Sequence, residues 1–385
     1  MTERSFADRV GRVSPSATLA ISNKAATLEA DGVDVVDLSV GEPDFDTPEA
    51  IKDAANEALA AGETGYTPSN GIPPLREAIA EKFAADGLDF YGPENVVVTP
   101  GGKQALFELF QTLVDTGDEV VLFDPAWVSY EAMVKLADGT PVHVDTARHD
   151  FALEPALDDL AEAVTDQTKL LVLNSPGNPH GCIYSENALE GVRDLAVDYD
   201  ITVISDEIYD QITYTDEALP RIGTLHGMAD RTLTVNGFSK AYAMTGWRLG
   251  YYGAPESIVE QAGKIHSHSV SCATSFVQHA GVTALREVDE EVEEMVDAFA
   301  ERREFLLSAF ADHGVDVVEP QGAFYMMVPV SEDDQQWCDD AISDAHVATV
   351  PGSAFGTPGY ARLSYANSKE RLGEALDRLD EYGLI

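Results

Sequence analysis

The sequence predicts an α/β fold: a large domain built on a mostly parallel sheet of seven strands, with a smaller α+β domain beside it. Two observations predict it. Short β-branched runs alternate with helical patterns through the middle of the chain, as in a parallel sheet covered by helices. Those runs also lack clean two-residue alternation of apolar and polar residues, as strands buried on both faces do. A length of 385 residues leaves room for the second domain.

In order, the predicted strands are NVVVT (95–99), EVVLF (119–123), PVHV (141–144), KLLVL (169–173), ITVIS (201–205), TLTV (232–235) and RLGYYG (248–253). Helical patterns separate most of them, such as KQALFELFQTLV (103–114) and ENALEGVRDLAVDYD (186–200). A long acidic helical segment follows at 286–312, then two strand-like runs, VDVVEP (315–320) and AFYMMVPV (323–330), and a last helix in SKERLGEALDRLDEY (368–382). The expected division is a large domain over 48–285 and a small domain made of 1–47 with 286–385.

The charge is unusual. Asp and Glu number 68 against 24 Lys and Arg, a net charge of −44. Nucleic acid and anionic membranes would be repelled, so neither is an expected partner. The acids are dispersed, as in EVDEEVEEMVD, over an intact hydrophobic pattern, which reads as a solvated surface rather than disorder. Such a surface suits a cytoplasm with molar salt, and a halophilic, haloarchaeal source is expected. Cys182, Cys272 and Cys338 lack the spacing of a disulfide framework or a zinc site. MTERSFADRVGR carries charges where a signal peptide needs an apolar core, and no apolar run approaches a membrane span. The expectation is a soluble cytoplasmic protein.

Against this acidity, Arg231 to Pro255 contains no Asp or Glu. It holds Lys240 and Arg248 in TVNGFSKAYAMTGWRLGY. Desolvation and a nearby cation lower a lysine pKa and make the amine nucleophilic, although Lys240 alone also fits a surface lysine lying over an apolar patch. The other strand ends are equally polar. Gly101 and Gly102 open a helix after a strand, where backbone N–H groups can approach a phosphate near Ser239 and Arg248. Asp206 ends a very apolar strand and needs a partner such as a protonated ring nitrogen, or else caps a helix. Tyr209 lies one turn on. Asn178 offers an amide to a phenolic oxygen, or serves only a turn. Trp127 can stack on a flat ring, or belongs to the core. Ligands of open α/β sheets bind at the carboxyl ends of strands. Taken together these groups ask for an aldehyde, a phosphate, a basic ring nitrogen, a phenolate and a flat face: pyridoxal 5′-phosphate.

The chain resembles the fold-type I pyridoxal-phosphate aminotransferases of class I, and most closely their prokaryotic aspartate aminotransferase branch. The resemblance runs nearly end to end, through PSATLAISNKAATLEADGVDVVDLSVGEPDFDTP, GYTPSNGIPPLREAIA, GGKQALFELFQ, WVSY, NSPGNPHG, SDEIYD, NGFSKAYAMTGWRLGY, GAFY, VPGSAFG and ARLSYA. It implies that Lys240 is the Schiff-base lysine and the proton shuttle. Asp206 would keep the ring nitrogen protonated, Tyr209 and Asn178 would bond the phenolate oxygen, and Trp127 would stack on the ring. Gly101, Gly102, Lys103, Ser239 and Arg248 would serve the phosphate end. Tyr66 would reach the phosphate of a neighbouring subunit, which implies a homodimer with shared active sites. Arg362 would clamp the substrate α-carboxylate, and Gly41 would lie in the loop over the substrate, with Trp127 and Asn178 also meeting it.

Two positions depart from the family pattern. His180 replaces the threonine of NPTG, and Gly237 stands where some members have a phosphate-binding serine. The implied reaction moves an amino group from an L-amino acid to a 2-oxo acid such as 2-oxoglutarate. Lys103 in GGKQAL points to aspartate or glutamate. Aromatic amino acids or prephenate are the alternative, and a β-lyase on the same fold a further one. A non-enzymatic regulator would need a DNA-binding module, for which neither the charge nor the extent of the resemblance leaves a place.

Overall fold

The structure, a computed structural model, describes residues 5–385. Its strands are β1 (Val36–Asp37), β2 (Val96–Thr99), β3 (Glu119–Asp124), β4 (Thr140–Asp145), β5 (Thr168–Asn174), β6 (Thr202–Asp206), β7 (Thr232–Gly237), β8 (Gly250–Gly253), β9 (Tyr325–Pro329), β10 (Val347–Ala348), β11 (Val350–Pro351) and β12 (Tyr360–Ser364). Seven of them form one sheet in the order β2-β8-β7-β6-β5-β3-β4. Within it β8 runs antiparallel to both neighbours and the remaining pairs are parallel. This is the predicted α/β architecture.

The continuous apolar runs follow from burial on both faces. In β5, Leu170 and Val172 face one helical layer, with Leu109, Tyr130 and Val134, while Leu171 and Leu173 face another, with Leu160, Leu189 and Val192. Successive strand residues point to opposite faces, so a strand with helices on both sides has no polar face. Each fully buried Leu or Val there contributes about 1.5–3 kcal/mol.

The smaller unit packs β11-β12-β9, all antiparallel, against the helices Asp289–Asp312 and Lys369–Glu381 around Phe299, Phe324, Tyr325, Leu363 and Leu372. The parallel pairing of β1 with β10 ties the N-terminal segment to this region. Two expectations need correction. VDVVEP is not a strand: Val315 N–H bonds the last helical turn at Phe310 O, and Pro320 O accepts from Arg303 at 2.8 Å, so its backbone joins no ladder. The last strand of the large sheet begins at Gly250 rather than Arg248, because Arg248 is left-handed, with φ 53°. Among the described residues, no helix is long and apolar enough to cross a membrane, and no cluster of His, Cys, Asp and Glu is placed to hold a metal.

Candidate active site

A cavity of about 580 Å³ opens where the large sheet ends against the smaller unit. The segments after β2, β3, β5, β6 and β7 all reach it, as expected of an open α/β sheet. Of the residues singled out in the sequence, Gly41, Gly102, Lys103, Trp127, Asn178, Asp206, Tyr209, Ser239, Lys240, Arg248 and Arg362 line it. Gly101 adjoins it. Tyr66 does not reach it and is 93% exposed.

One end of the cavity is built from backbone. Gly101 has φ 87°, and a Cβ there would meet Arg248 Nη2 at 2.6 Å. A Cβ on Gly250 would strike Gly102 N at 2.4 Å. Gly237, paired with Gly250 across the ladder, has room for a Cβ only 3.1 Å from Ile208 and 3.2 Å from Gly250 Cα. The missing side chains let three segments close on the N-terminus of the helix Gly102–Leu113, whose free N–H groups and dipole favour an anion. A serine at 237 would need Ile208 or the Gly250 backbone to give by a few tenths of an ångström.

The middle of the cavity holds Asp206, at 4% exposure. Burial raises its carboxyl to about 6, against the pull of Tyr130, the Ile208 N–H and Lys240. Tyr130 Oη donates to Asp206 Oδ2 at 2.7 Å. Asn174 Nδ2 donates to Asp206 O at 2.9 Å, and Asn174 Oδ1 accepts the Asn178 N–H at 2.8 Å. Tyr209 Oη lies 3.1 Å from Tyr325 Oη. Burial, then Tyr325, hold the Tyr209 phenol well above its ordinary range, so it is a neutral donor. Lys240 Nζ donates to Gly41 O. Burial lowers its pKa to about 8, helped by Arg362, Arg248 and Lys103 and opposed by Glu42.

Arg362, on β12, is 3% exposed. It donates to Asn178 Oδ1 at 3.1 Å and Ser39 O at 2.5 Å, and lies over the Tyr325 ring at 4.6 Å. Its Nε has no partner among the described residues. Lys103 Nζ sits 4.8 Å from the Trp127 ring centroid, and burial, then Arg248, lower its pKa. Elsewhere Lys82, Arg221, Arg302 and Arg371 are ion-paired. Among the described residues Lys103, Lys240, Arg248 and Arg362 are not. A chain with net charge −44 thus keeps four free cations around one cavity, a site for anions.

Tyr130, Asn174, Tyr325 and Ser39 were not assigned site roles from the sequence. Tyr130 and Tyr325 lie within WVSY and GAFY, and those two motifs were the available signal. His180 lies outside the cavity wall, stacked on Phe151 at 5.6 Å. Its Nδ1 accepts the Cys182 N–H at 3.0 Å, and burial lowers its pKa to about 4. It is a neutral core histidine.

Pyridoxal 5′-phosphate fits this donor set. The glycine-lined helix terminus with Arg248 and Ser239 suits a phosphate. The Asp206 carboxyl, poised near 6, suits a basic ring nitrogen, and the neutral Tyr209 suits a phenolate. Lys240, with its lowered pKa, suits an aldehyde.

A sequence profile described as "Aminotransferase class I and II" matches residues 33–379. The chain is 43% identical over 384 residues to the aspartate/prephenate aminotransferase of Thermus thermophilus, covering 97% of this chain and 98% of that protein. A structure of aspartate aminotransferase from Thermus thermophilus with maleate superposes with a TM-score of 0.94 at 43% identity, covering 98% of this chain and all of that one. The aromatic aminotransferase of Pyrococcus horikoshii gives a TM-score of 0.88 at 40% identity, covering 94% of this chain and all of that one. The chain belongs to the class I and II aminotransferases, with the fold of the pyridoxal-phosphate-dependent members.

Proposed function

We propose that this aminotransferase takes its amino group from aspartate or glutamate and passes it to a 2-oxo acid such as 2-oxoglutarate. The observation that carries this reading is the fourth cation. Arg248 stands at the phosphate end, Lys240 meets the aldehyde, and Arg362 takes the α-carboxylate common to both substrates. Lys103 remains, unpaired at the cavity wall and capable of holding a second carboxylate.

Bound in this cavity, pyridoxal phosphate supplies an aldehyde that takes up the amino group and a ring that stores the electron pair left at Cα. Arg362 orients the substrate through its planar fork, which Asn178 Oδ1 and Ser39 O hold in place. Lys240 Nζ would carry the proton from the substrate Cα to the cofactor carbon that bore the aldehyde, and carry one back to Cα when the 2-oxo acid is the substrate. Asp206, its carboxylate fixed by Tyr130, would keep a proton at the ring nitrogen. Tyr209 Oη would donate to the phenolate oxygen. The same side chains serve both half-reactions.

The test is a half-reaction with one amino acid at a time, measuring the 2-oxo acid released per cofactor. Release with aspartate and glutamate ahead of phenylalanine and alanine is expected. Release with phenylalanine or alanine alone would reassign the substrate. Aromatic substrates are the second reading, favoured by the Trp127 ring at the cavity wall and by relatives named for prephenate and aromatic substrates. Lys103→Met separates the two. It is expected to lower kcat/KM for aspartate by about ten- to a hundredfold, the worth of one charge-assisted hydrogen bond, and to leave phenylalanine nearly unchanged. Equal losses for both would remove Lys103 from specificity.

We further propose a homodimer in which Tyr66, exposed on its own chain, completes the partner's phosphate site. A monomer in sedimentation at working concentration would sink this. We also propose a halophilic origin, which the net charge of −44 supports. Thermal stability is expected to fall as salt drops from about 2 M to about 0.1 M, where carboxylates repel over about 10 Å. Equal stability in both buffers would contradict it.

A further inference from the structure

The turn that carries Asp206 and Tyr209 has a second, charged side. Three carboxylates lie within SDEIYD, at Asp206, Glu207 and Asp210. Asp206 and Tyr209 line the cavity, whereas Glu207 and Asp210 do not. Both of those are buried, at 3% and 8% exposure. One side chain holds the two of them. Arg221 donates to Glu207 Oε2 through Nη1 and to Asp210 Oδ2 at 3.3 Å through Nη2. Its Nη2 also lies 3.0 Å from Asp86 Oδ1. Lys82 Nζ closes the group, 2.5 Å from Asp210 and 2.8 Å from Asp86. Ser205 Oγ donates to the other oxygen of Glu207 at 2.9 Å.

Burying three charged groups, Glu207, Asp210 and Arg221, with Lys82 and Asp86 half-buried beside them, is an expensive way to hold a turn. Packed apolar residues of the same volume are often at least as stable. Apolar packing, however, does not tell one carboxylate of this turn from the next. A slip by one residue would exchange Asp206 and Tyr209 for Glu207 and Asp210 at the cavity. Arg221 engages both of the latter, and so leaves Asp206 as the one carboxylate of the three that faces the cavity.

We propose that Arg221 is a positioning residue for the cofactor ring: by bridging Glu207 and Asp210 it fixes which carboxylate meets the ring nitrogen and where Tyr209 points. This rests on the pyridoxal-phosphate reading above.

The test uses the full chain and two ligands, pyridoxal phosphate and its 1-deaza analogue, which has carbon in place of the ring nitrogen. Dissociation constants are read from quenching of tryptophan fluorescence, with circular dichroism as the check on folding. Wild type is expected to prefer pyridoxal phosphate. Arg221→Gln is expected to lose about tenfold or more of that preference, the worth of one charged hydrogen bond, while binding the analogue nearly as before. Arg221→Lys keeps the charge without the fork and is expected to recover part of the preference. Equal weakening of both ligands, or an unchanged preference in a folded Arg221→Gln, overturns the proposal. If Arg221→Gln does not fold, Glu207→Gln, which leaves the Asp210 contact, is expected to show an intermediate loss, and an unchanged preference there overturns it. A wild type that binds neither ligand, or both alike, removes the ring-nitrogen reading and this proposal with it.

Discussion

Lys240→Ala is expected to abolish transamination, lowering kcat/KM by about four orders of magnitude or more while the far-ultraviolet dichroism stays unchanged. The lysine has two tasks, nucleophile toward the aldehyde and proton carrier at Cα, and loss of a positioned proton carrier alone costs about 10²–10⁴-fold. Retention of full activity would remove the central role assigned to Lys240. The pH dependence of cofactor uptake follows from the same residue. Only the neutral amine attacks a carbonyl. With its pKa lowered to about 8, about a tenth of Lys240 is neutral at pH 7, against less than about a thousandth for an ordinary lysine. The rate of covalent uptake should therefore rise with pH up to about 8 and flatten above it. A rate still climbing tenfold per unit between pH 9 and 10 would show that the amine is not so perturbed.

Arg362→Ala is expected to lower kcat/KM for every amino acid and every 2-oxo acid by about 10²–10³-fold. Truncating one partner of a buried, hydrogen-bonded charge pair costs about 2–5 kcal/mol, and here the substrate α-carboxylate is that partner. The change also leaves Asn178 Oδ1 and Ser39 O without their donor. Arg362→Lys should rescue little, because an ammonium cannot reproduce the fork. The breadth of the effect is diagnostic: Lys103→Met should select against dicarboxylic substrates, whereas Arg362→Ala should not discriminate. Steady-state kinetics with aspartate, phenylalanine and alanine read both. A loss confined to aspartate in Arg362→Ala would reassign the α-carboxylate clamp.

Much of this site was legible because its residues sit at strand ends. A strand fixes where its last residue lies: Asp206 closes its strand, and Asn178 and Lys240 lie a few residues beyond the ends of theirs, at Asn174 and Gly237. The absence of acids from Arg231 to Pro255 marks the cationic lining in the sequence itself. Partners that meet across long stretches of chain were not legible in this way. Tyr130 reaches Asp206 over 76 positions and Tyr209 meets Tyr325 over 116. Tyr209 stands out through its place in SDEIYD, but nothing local to Tyr130 or Tyr325 says which group either one meets. Arg221 was silent for the same reason, one of 24 basic residues with nothing local to set it apart. VDVVEP misled because β-branched residues also suit an extended segment that packs without pairing; Val315 and Val317 touch the core of the smaller unit but join no sheet.

The most direct test of the account is to load the protein with pyridoxal phosphate, reduce it with borohydride, digest it and map the label by mass spectrometry. Stoichiometric label on the peptide containing Lys240, and none in Lys240→Ala, is the predicted result. Label on Lys103 or on surface lysines, or no stoichiometric label at all, would contradict it.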